Sequence, residues 1–265
     1  MIHPTALVDA SVEISDDCVI GAFCVIKRGV RLGRRVRIGE HVVIKSGTVL
    51  GDDVEVHAGV VLGDDPQIVG QNFDFESGVV IGDRTVLREG VTVHRASQPG
   101  QQTRVGQDCL LMAYSHVAHD AVVGSHCILA NLALVAGCVV IEDYVFLSGG
   151  SMVHQFVHIG ESAFVSGNAE ITMHIPPFVT VLGRNVVSNL NLVGLQRRGF
   201  SSEEIADIKQ QYRAVYGGDS RSFQKKAFSA LEKGEFKTER GRQFLEFFTH
   251  QTHDRSFAYP KKRGE

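Results

Sequence analysis

Residues 105–141 read VGQDCLLMAYSHVAHDAVVGSHCILANLALVAGCVVI, and an aliphatic residue returns at every sixth position of this stretch. The same phase runs from Ile2 to Leu62 and again from Val105 to Ile171 without a missed position. A period of six fits neither an α-helix nor the simple alternation of a strand. It predicts a chain that turns a corner every six residues and closes a three-sided coil after three such steps.

The other positions of the hexad agree with such a coil. Glycine often follows the aliphatic residue, as at Gly106 and Gly124, where we expect it to ease a tight turn. The fourth residue after the aliphatic is small or slim, as at Cys109 and Ala121, and should point inward. Short parallel strands would stack at roughly 4.8 Å per coil. The predicted fold class is therefore mainly β, a parallel β-helix of hexapeptide repeats.

The period is interrupted twice and then stops. Residues 64–78 and 96–103 lack the pattern, and the second stretch is polar with a Pro-Gly pair, so we predict two outward loops. The repeats end near Pro176 and Pro177, which cannot donate ladder hydrogen bonds. We therefore expect the coil to occupy residues 1–190.

Residues 191–265 are predicted to form a C-terminal helical domain. Helical spacing occurs over residues 201–217, 222–233 and 238–250. Ser201 and Glu204 have the spacing of a capping box at the start of the first helix. The last dozen residues read as a loose tail.

Composition limits the function classes. Residues 191–265 carry 15 Lys/Arg and 10 Asp/Glu (+5), and residues 1–190 carry 12 and 20 (−8), which together give the net charge of −3. The basic tail indicates either an anionic partner or a solvated surface. We expect no membrane span, because no run reaches the ~18–20 apolar residues that a span requires. We also expect no nucleic-acid partner and, because the repeats begin at Ile2, no secretory signal and a cytoplasmic location.

The coil register brings a histidine and a glycine together. One coil on from His119 and Asp120 come Gly137 and Cys138. A neutral imidazole can take a proton from a hydroxyl near pH 7, a carboxylate can fix its tautomer, and a glycine N–H can approach an oxyanion closely. This set suits acyl transfer to an alcohol. A surface or inter-subunit role for His119 is the alternative that spacing alone leaves open.

Five short motifs carry a resemblance to a known family. They are HVAHD at 116–120, CILAN at 127–131, MVHQF at 152–156, IPPF at 175–178 and GLQRRGF at 194–200. Together they resemble the bacterial UDP-N-acetylglucosamine acyltransferases, hexapeptide-repeat enzymes that catalyse the first step of lipid A synthesis. The resemblance covers nearly the whole chain. It implies a left-handed coil and a homotrimer with its sites between subunits.

The resemblance also implies roles for particular residues. His119 would be the general base for the sugar 3-hydroxyl, Asp120 would orient it, and Gly137 would supply the oxyanion N–H. The donor would be a long-chain (R)-3-hydroxyacyl group on the phosphopantetheine of acyl carrier protein, with no metal and no other cofactor. The remaining positions would contact the UDP-sugar acceptor or the acyl chain, with Gly167 setting chain length: His116, Cys138, His154, Gln155, Gly167, Asn191, Arg197 and Arg198.

This chain differs from the family pattern at three places, and these differences leave two candidates for the acceptor sugar. Members usually carry Asp and Lys where this chain has Ile68-Val69-Gly70, a histidine at the place of Cys138, and an acidic residue at that of Val193. The alternative hypothesis is therefore that the acceptor is a different nucleotide sugar, such as a 3-amino analogue, whose acylation would give an amide.

Two readings from other classes also use this type of coil. A zinc lyase of the γ-carbonic anhydrase type needs three converging imidazoles. The residues one coil on from His116 and His119 are Leu134 and Gly137, which disfavours such a site. A non-catalytic solenoid would have no reason to place a His-Asp pair beneath a glycine.

Overall fold

The computed structural model describes residues 1–217, 222–249 and 255–261, and its main body is a left-handed coil of short parallel strands. The coil has three sides, and each side is one hydrogen-bonded sheet. Face A contains Leu7–Val8, Val25–Ile26, Val43–Ile44, Val61–Asp64, Thr92–His94, His116–Val117, Leu134–Val135, Met152–Val153 and Glu170–Ile171. Face B contains Arg31–Leu32, Thr48–Leu50, Gly78–Ile81, Gln102–Val105, Val122–Val123, Val140–Ile141 and His158–Ile159. Face C contains Val19–Ile20, Arg37–Ile38, Glu55–Val56, Val86–Leu87, Leu110–Leu111, Ile128–Leu129, Phe146–Leu147, Phe164–Val165, Val179–Leu182, Val186–Leu190 and Tyr259–Pro260.

The registered aliphatic residues form the core, as the period predicts. Val117 pairs with Val135, which pairs with Val153, and none of the three is more than 3% exposed. Each such side chain contributes roughly 1.5–3 kcal/mol when it is fully buried. A continuous column of them stabilises a coil whose strands are mostly two residues long.

The glycines that follow the aliphatic residues serve close packing between coils. A Cβ atom on Gly106 would lie 2.6 Å from the carbonyl carbon of Gly124 in the next coil. The left-handed backbone conformation is instead taken by non-glycine residues later in the turns, such as Asp108 (φ 55°) and Asp120 (φ 60°). The expectation that these positions need a residue without a Cβ atom is therefore confirmed, and the close contact comes from the next coil.

Two loops leave the coil, at residues 65–77 and 95–101. The predicted loops extended too far, because Asp64, Gly78, Gln102 and Thr103 belong to strands. Arg95 ties the first loop down: Nε lies 2.8 Å from Oδ1 of Asp65, and Nη2 donates to the carbonyl of Phe73 at 2.6 Å.

The coil continues one strand beyond the two prolines. Val179–Leu182 pairs in parallel with Phe164–Val165, and Val186–Leu190 then folds back on it as an antiparallel strand. The predicted stop at Pro176 and Pro177 was therefore early, because the prolines lie in the turn before the last parallel strand.

In the described part of the remaining chain there are four helices: α1 (Leu192–Arg197), α2 (Ser202–Tyr216), α3 (Phe223–Glu232) and α4 (Glu239–Glu246). The capping box of α2 is confirmed, because the Ser201 side chain accepts from the Glu204 amide and the Glu204 carboxylate accepts from the Ser201 amide. Helix α1 was missed, since only Leu195 is buried along its six residues. Helix α4 ends before the predicted His250, which lies outside the described residues. The division of the chain into two domains between residues 190 and 191 stays a prediction.

The tail is packed rather than loose over residues 255–261. Phe257 and Ala258 are buried, and Tyr259–Pro260 pairs with Val186 and Val187. The hydroxyl of Tyr216 donates to the carbonyl of Ala258 at 3.1 Å. The prediction of a loose tail was therefore wrong for this segment. Within the described ranges, no helix combines the length and apolarity that crossing a bilayer requires.

Candidate active site

His119 and Asp120 lie in the turn that joins Face A to Face B. Nδ1 of His119 is 2.7 Å from Oδ2 of Asp120. An ionised carboxylate only accepts hydrogen bonds, so Nδ1 carries the proton and donates it. Nε2 of His119 keeps its lone pair and is the atom that can take a proton from a hydroxyl.

Asp120 is itself held by the second loop. The Ser97 amide donates to Oδ1 at 2.9 Å, and the Ser97 hydroxyl donates to Oδ2 at 2.6 Å. The Asp120 amide donates to the hydroxyl of Thr103 at 2.8 Å. These bonds fix the carboxylate and, through it, the plane of the His119 ring.

Gly137 lies against the imidazole, one coil toward the C-terminus. A Cβ atom here would lie 2.6 Å from Nε2 and 2.5 Å from Cε1 of His119, so no larger residue fits without a shift. The backbone N–H of Gly137 donates no hydrogen bond within the part of the chain that the structure describes. It is free to donate to an oxyanion that forms beside Nε2.

A cavity of about 470 Å³ opens over these groups along Face A. Its volume lies in the range of small-molecule sites, roughly 300–1,000 Å³. Its walls include His116, His119, Gly137, Met152, His154 and Gln155. A larger groove, of about 920 Å³ between the first loop and the turns at Lys27 and Lys45, contains none of these groups.

Two further histidines lie beside His119. Nδ1 of His116 is 2.7 Å from the hydroxyl of Thr92, and its ring centroid is 4.9 Å from that of His94. Burial, helped by His94 and His119, lowers the pKa of His116 to about 4. Burial also lowers the pKa of His94. Both rings are therefore neutral near pH 7, and His116 acts through its hydrogen bond with Thr92 rather than through charge.

Cys138 lies next to Asp120, and this cluster is the place to examine the hypothesis of a zinc site. Possible ligand atoms of His119, Asp120 and Cys138 lie within 4.8 Å of one another. The Asp120 carboxylate already accepts three hydrogen bonds, from two groups of Ser97 and from His119. Burial, together with the Asp120 charge, raises the pKa of the Cys138 thiol, which disfavours the thiolate that zinc needs. These residues fit a base and its orienting acid better than a zinc site.

His154 and Gln155 occupy the turn one coil beyond Gly137, on the wall of the same cavity. The His154 side chain meets Arg255 of the tail, with Nδ1 of the ring 2.8 Å from Nη2. The cavity therefore collects five of the predicted residues, His116, His119, Gly137, His154 and Gln155, with Asp120 and Cys138 next to them.

The other four predicted residues lie on different edges of the coil. Gly167 is in a turn between Face C and Face A, where a Cβ atom would lie 3.3 Å from the carbonyl oxygen of Gly149. Asn191 caps α1 and donates through Nδ2 to the Ser162 carbonyl, in a turn between Face B and Face C. Arg197 is exposed.

Arg198 shares the edge of Ser162. Its Nη1 lies 2.6 Å from Oε1 of Glu161, and its guanidinium carbon is 3.7 Å from the ring centroid of Tyr144. One chain therefore does not bring Arg198 into the cavity of His119.

Several residues that line the cavity or contact its lining residues were not predicted from the sequence. Ser97, Gln67 and Arg255 come from the two loops and the tail, where no period gives a register. His94 had a usable signal, because it follows Val93 at the end of a Face A strand, one coil before His116.

Comparison with known proteins agrees with this geometry. A family model described as UDP-N-acetylglucosamine O-acyltransferase, domain 2, matches residues 175–258. The bacterial transferase hexapeptide model matches residues 11–46, 29–64 and 102–137.

Named relatives match over most of the chain. The acyl-[acyl-carrier-protein]–UDP-N-acetylglucosamine O-acyltransferase of Chlorobaculum parvum is 43% identical over 261 residues, which cover 98% of each chain. The protein of that name from Saccharophagus degradans is 42% identical over 218 residues, 81% of this chain and 84% of its own. The crystal structure of the UDP-N-acetylglucosamine acyltransferase of Francisella novicida superposes with a TM-score of 0.89 at 31% identity, over 99% of this chain and 95% of that one. With the His119–Asp120 pair beneath Gly137 on a hexapeptide-repeat coil, these matches establish that the chain belongs to the acyl-[acyl-carrier-protein]–UDP-N-acetylglucosamine O-acyltransferases.

Proposed function

We propose that this acyltransferase moves a long-chain (R)-3-hydroxyacyl group from acyl carrier protein to the 3-hydroxyl of UDP-N-acetylglucosamine, the first step of lipid A synthesis. The observation that carries the proposal is the free Nε2 of His119 beside the unpaired N–H of Gly137, in a cavity of substrate size. The function fits the names of the relatives at about 40% identity.

The proposed reaction follows from these atoms. Nε2 of His119 takes the proton of the sugar hydroxyl, and the oxygen attacks the thioester carbonyl. The carbonyl oxygen gains negative charge and accepts a hydrogen bond from Gly137. When the tetrahedral intermediate collapses, the C–S bond breaks, an ester remains, and the pantetheine thiolate takes the proton back from His119. The imidazolium is stabilised in between by Asp120, 2.7 Å from Nδ1.

The proposed contacts place the two substrates around the base. His116, His154 and Gln155 line the cavity and offer hydrogen bonds to the sugar and the acyl group, with Cys138 beside them. Gly167 faces the backbone of Gly149 on the far edge of Face A, where a larger side chain would shorten the space for the chain.

The nucleotide contacts require a second copy of the chain. Asn191, Arg197 and Arg198 are proposed to hold the UDP moiety, yet they lie on another edge of the coil than His119. A homotrimer solves this geometry, because closed three-fold symmetry can set one edge of each coil against a different edge of its neighbour. Arg198 and Arg240 both pair with the carboxylate of Glu161, and the fork of donors of a guanidinium group suits a diphosphate.

The helical region is the proposed docking surface for acyl carrier protein. Residues 191–265 carry a net charge of +5 on a chain whose total is −3, so an acidic carrier would be drawn to them. A cytoplasmic location stays a prediction.

The proposed function is tested by direct assay with two variants of the base. Purified protein is given long-chain 3-hydroxyacyl carrier protein and either UDP-N-acetylglucosamine or its 3-amino analogue. His119→Ala removes the base, and His119→Asn keeps a donor toward Asp120 without a basic nitrogen. Both should lower kcat by about 10²–10⁴-fold, the usual contribution of a general base.

A matched control is His57→Asn, because His57 lies on another face and pairs with Glu89. It should retain wild-type turnover. Wild-type turnover in both His119 variants would contradict the proposed mechanism. If the protein acylated only the 3-amino analogue, that sugar would be the acceptor in place of UDP-N-acetylglucosamine.

A further inference from the structure

The C-terminal tail places the cationic side chain of Arg255 next to the cavity of His119. The tail crosses the last coil through two hydrogen bonds of the His174 backbone, in which its amide donates to the Ser256 carbonyl and its carbonyl accepts from the Ala258 amide, each at 2.9 Å. This pairing holds Arg255 over the end of Face A. Its Nη1 donates to the carbonyl of Thr172 at 2.9 Å, and its Nη2 is 2.8 Å from Nδ1 of His154.

The Arg255 contact decides which nitrogen of His154 carries the proton. A guanidinium group has donors only and keeps its charge at any pH that a folded protein tolerates. At 2.8 Å, Nδ1 of His154 must therefore be the acceptor and must be unprotonated. The competing partner of Nδ1 is the carbonyl of Gln155 at 3.5 Å, the outer limit of a hydrogen bond. The proton is consequently on Nε2.

His119 and His154, two of the three imidazoles that line the cavity, thus have opposite tautomers. The Asp120 carboxylate keeps the proton of His119 on Nδ1 and leaves Nε2 as a base. The Arg255 guanidinium keeps Nδ1 of His154 free of a proton and leaves an N–H at Nε2. One ring can accept a proton while the other donates a hydrogen bond, and neither has to change tautomer first.

We propose that Arg255 is a positioning residue, which orients His154 so that its Nε2–H donates to a carbonyl oxygen of the substrates. The inference rests on the proposed function, because it takes the cavity of His119 as the acyl-transfer site. The carbonyl belongs either to the acyl donor or to the N-acetyl group of the acceptor. Separate KM values for donor and acceptor distinguish these sources.

A double-mutant cycle tests the proposal on the intact protein. The Gln side chain can place an amide N–H near the position of Nε2, and Asn cannot, so His154→Gln should keep more activity than His154→Asn. Arg255→Met should lower kcat about tenfold, the equivalent of 1.4 kcal/mol. In the His154→Gln background, the same Arg255→Met change should have almost no further effect, because no tautomer is left to hold.

The control variant is Arg34→Met, which removes an exposed cation from an N-terminal coil, where its side chain pairs only with Asp52 within the described residues. Its kcat and both KM values should match the wild type. Arg255→Lys should recover part of the lost activity, since an ammonium group still donates to Nδ1.

A spectroscopic measurement does not depend on turnover. The ¹⁵N signals of His154, assigned with His154→Gln, should show protonation at Nε2 in the wild type near pH 7 and disorder or exchange of the ring in Arg255→Met. A proton on Nδ1 in the wild type would overturn the proposal. An equal loss of kcat from Arg255→Met in both backgrounds would do the same, because it would indicate a purely structural role. If the wild type acylates neither acceptor, the proposed function fails while the tautomer is still measured.

Discussion

The hydroxyl of Ser97 connects a surface loop to Asp120 and, through it, to the proposed base His119. It donates to Oδ2 of Asp120 at 2.6 Å, and the Ser97 amide donates to Oδ1. The variant Ser97→Ala keeps the hydrogen bond from the backbone amide to Asp120 and removes the hydrogen bond from the hydroxyl. Hydrogen bonds to charged groups contribute about 1.5–3 kcal/mol, and part of this orients the Asp120–His119 pair, so we expect kcat to fall roughly tenfold with KM nearly unchanged.

The measurement is steady-state kinetics beside Ser125→Ala, whose side chain has no hydrogen bond in the described structure. A large KM change with constant kcat in Ser97→Ala would contradict the orienting role.

His116 makes stability depend on pH in a defined window. Its pKa is lowered to about 4 by burial, against an ordinary value of 6.5, so the unfolded chain binds more protons between these limits. The stability that its neutral form contributes is present above pH 6.5 and is lost as the pH falls toward 4, by at most about 3 kcal/mol.

Thermal melting at pH 7.5 and pH 5 measures this contribution. We expect the melting temperature of His116→Gln to fall less on acidification than that of the wild type. Part of the slope should remain, because burial lowers the pKa of His94 as well. Identical pH dependence in the two proteins would mean that His116 is not the group responsible.

At the scale of single residues, the sequence predicts what the coil period controls. Val117 sets the register that places Gly137 on His119, and the structure has this contact. Ser97 belongs to a stretch without a period, so no spacing connects it to Asp120. Arg255 is separated from His154 by 101 positions, and only the folded tail brings them together.

Among the elements, the first loop depends on one cation that is only slightly exposed. The Arg95 side chain is 11% exposed, pairs with Asp65, and donates to the carbonyls of Phe73 and Phe75. A lysine keeps the charge but cannot reproduce the fork of donors. Arg95→Lys should therefore speed hydrogen exchange of residues 65–77 and raise the acceptor KM, because Gln67 of this loop lines the cavity.

Hydrogen exchange read by mass spectrometry gives the comparison for this loop. The control is Arg88→Lys, whose arginine is exposed and pairs only with Glu89 among the described residues. Unchanged exchange in the loop of Arg95→Lys would show that other contacts hold it.

The strands of the coil were predictable as far as Ile171, and those at its C-terminal end were not. A six-residue period indicates an inward side chain and therefore the parallel strands of this part, including the return of phase at Val105. The antiparallel strand Val186–Leu190 and its partner Tyr259–Pro260 have no such period, since each is defined by a neighbour distant in sequence. Local pattern alone cannot predict a pairing of this kind.

For the whole molecule, the division of the proposed site between two edges has a direct consequence. His119 lies between Faces A and B, and Arg198 lies at Ser162 between Faces B and C. In the proposed trimer, each cleft takes the base from one subunit and the nucleotide-binding guanidinium from the next. Complementation between two inactive variants then becomes possible.

Mixed trimers of His119→Ala and Arg198→Met test this arrangement. Each variant alone should be nearly inactive, and each should remain trimeric by light scattering. In trimers assembled randomly from equal amounts, a cleft is complete when an intact His119 meets an intact Arg198 across the boundary, so about one quarter of the clefts should regain activity. If both residues of a site came from one chain, no cleft could be complete, and the mixture would stay as inactive as its parents. Co-expression with two affinity tags, followed by the acyl-transfer assay, distinguishes these outcomes.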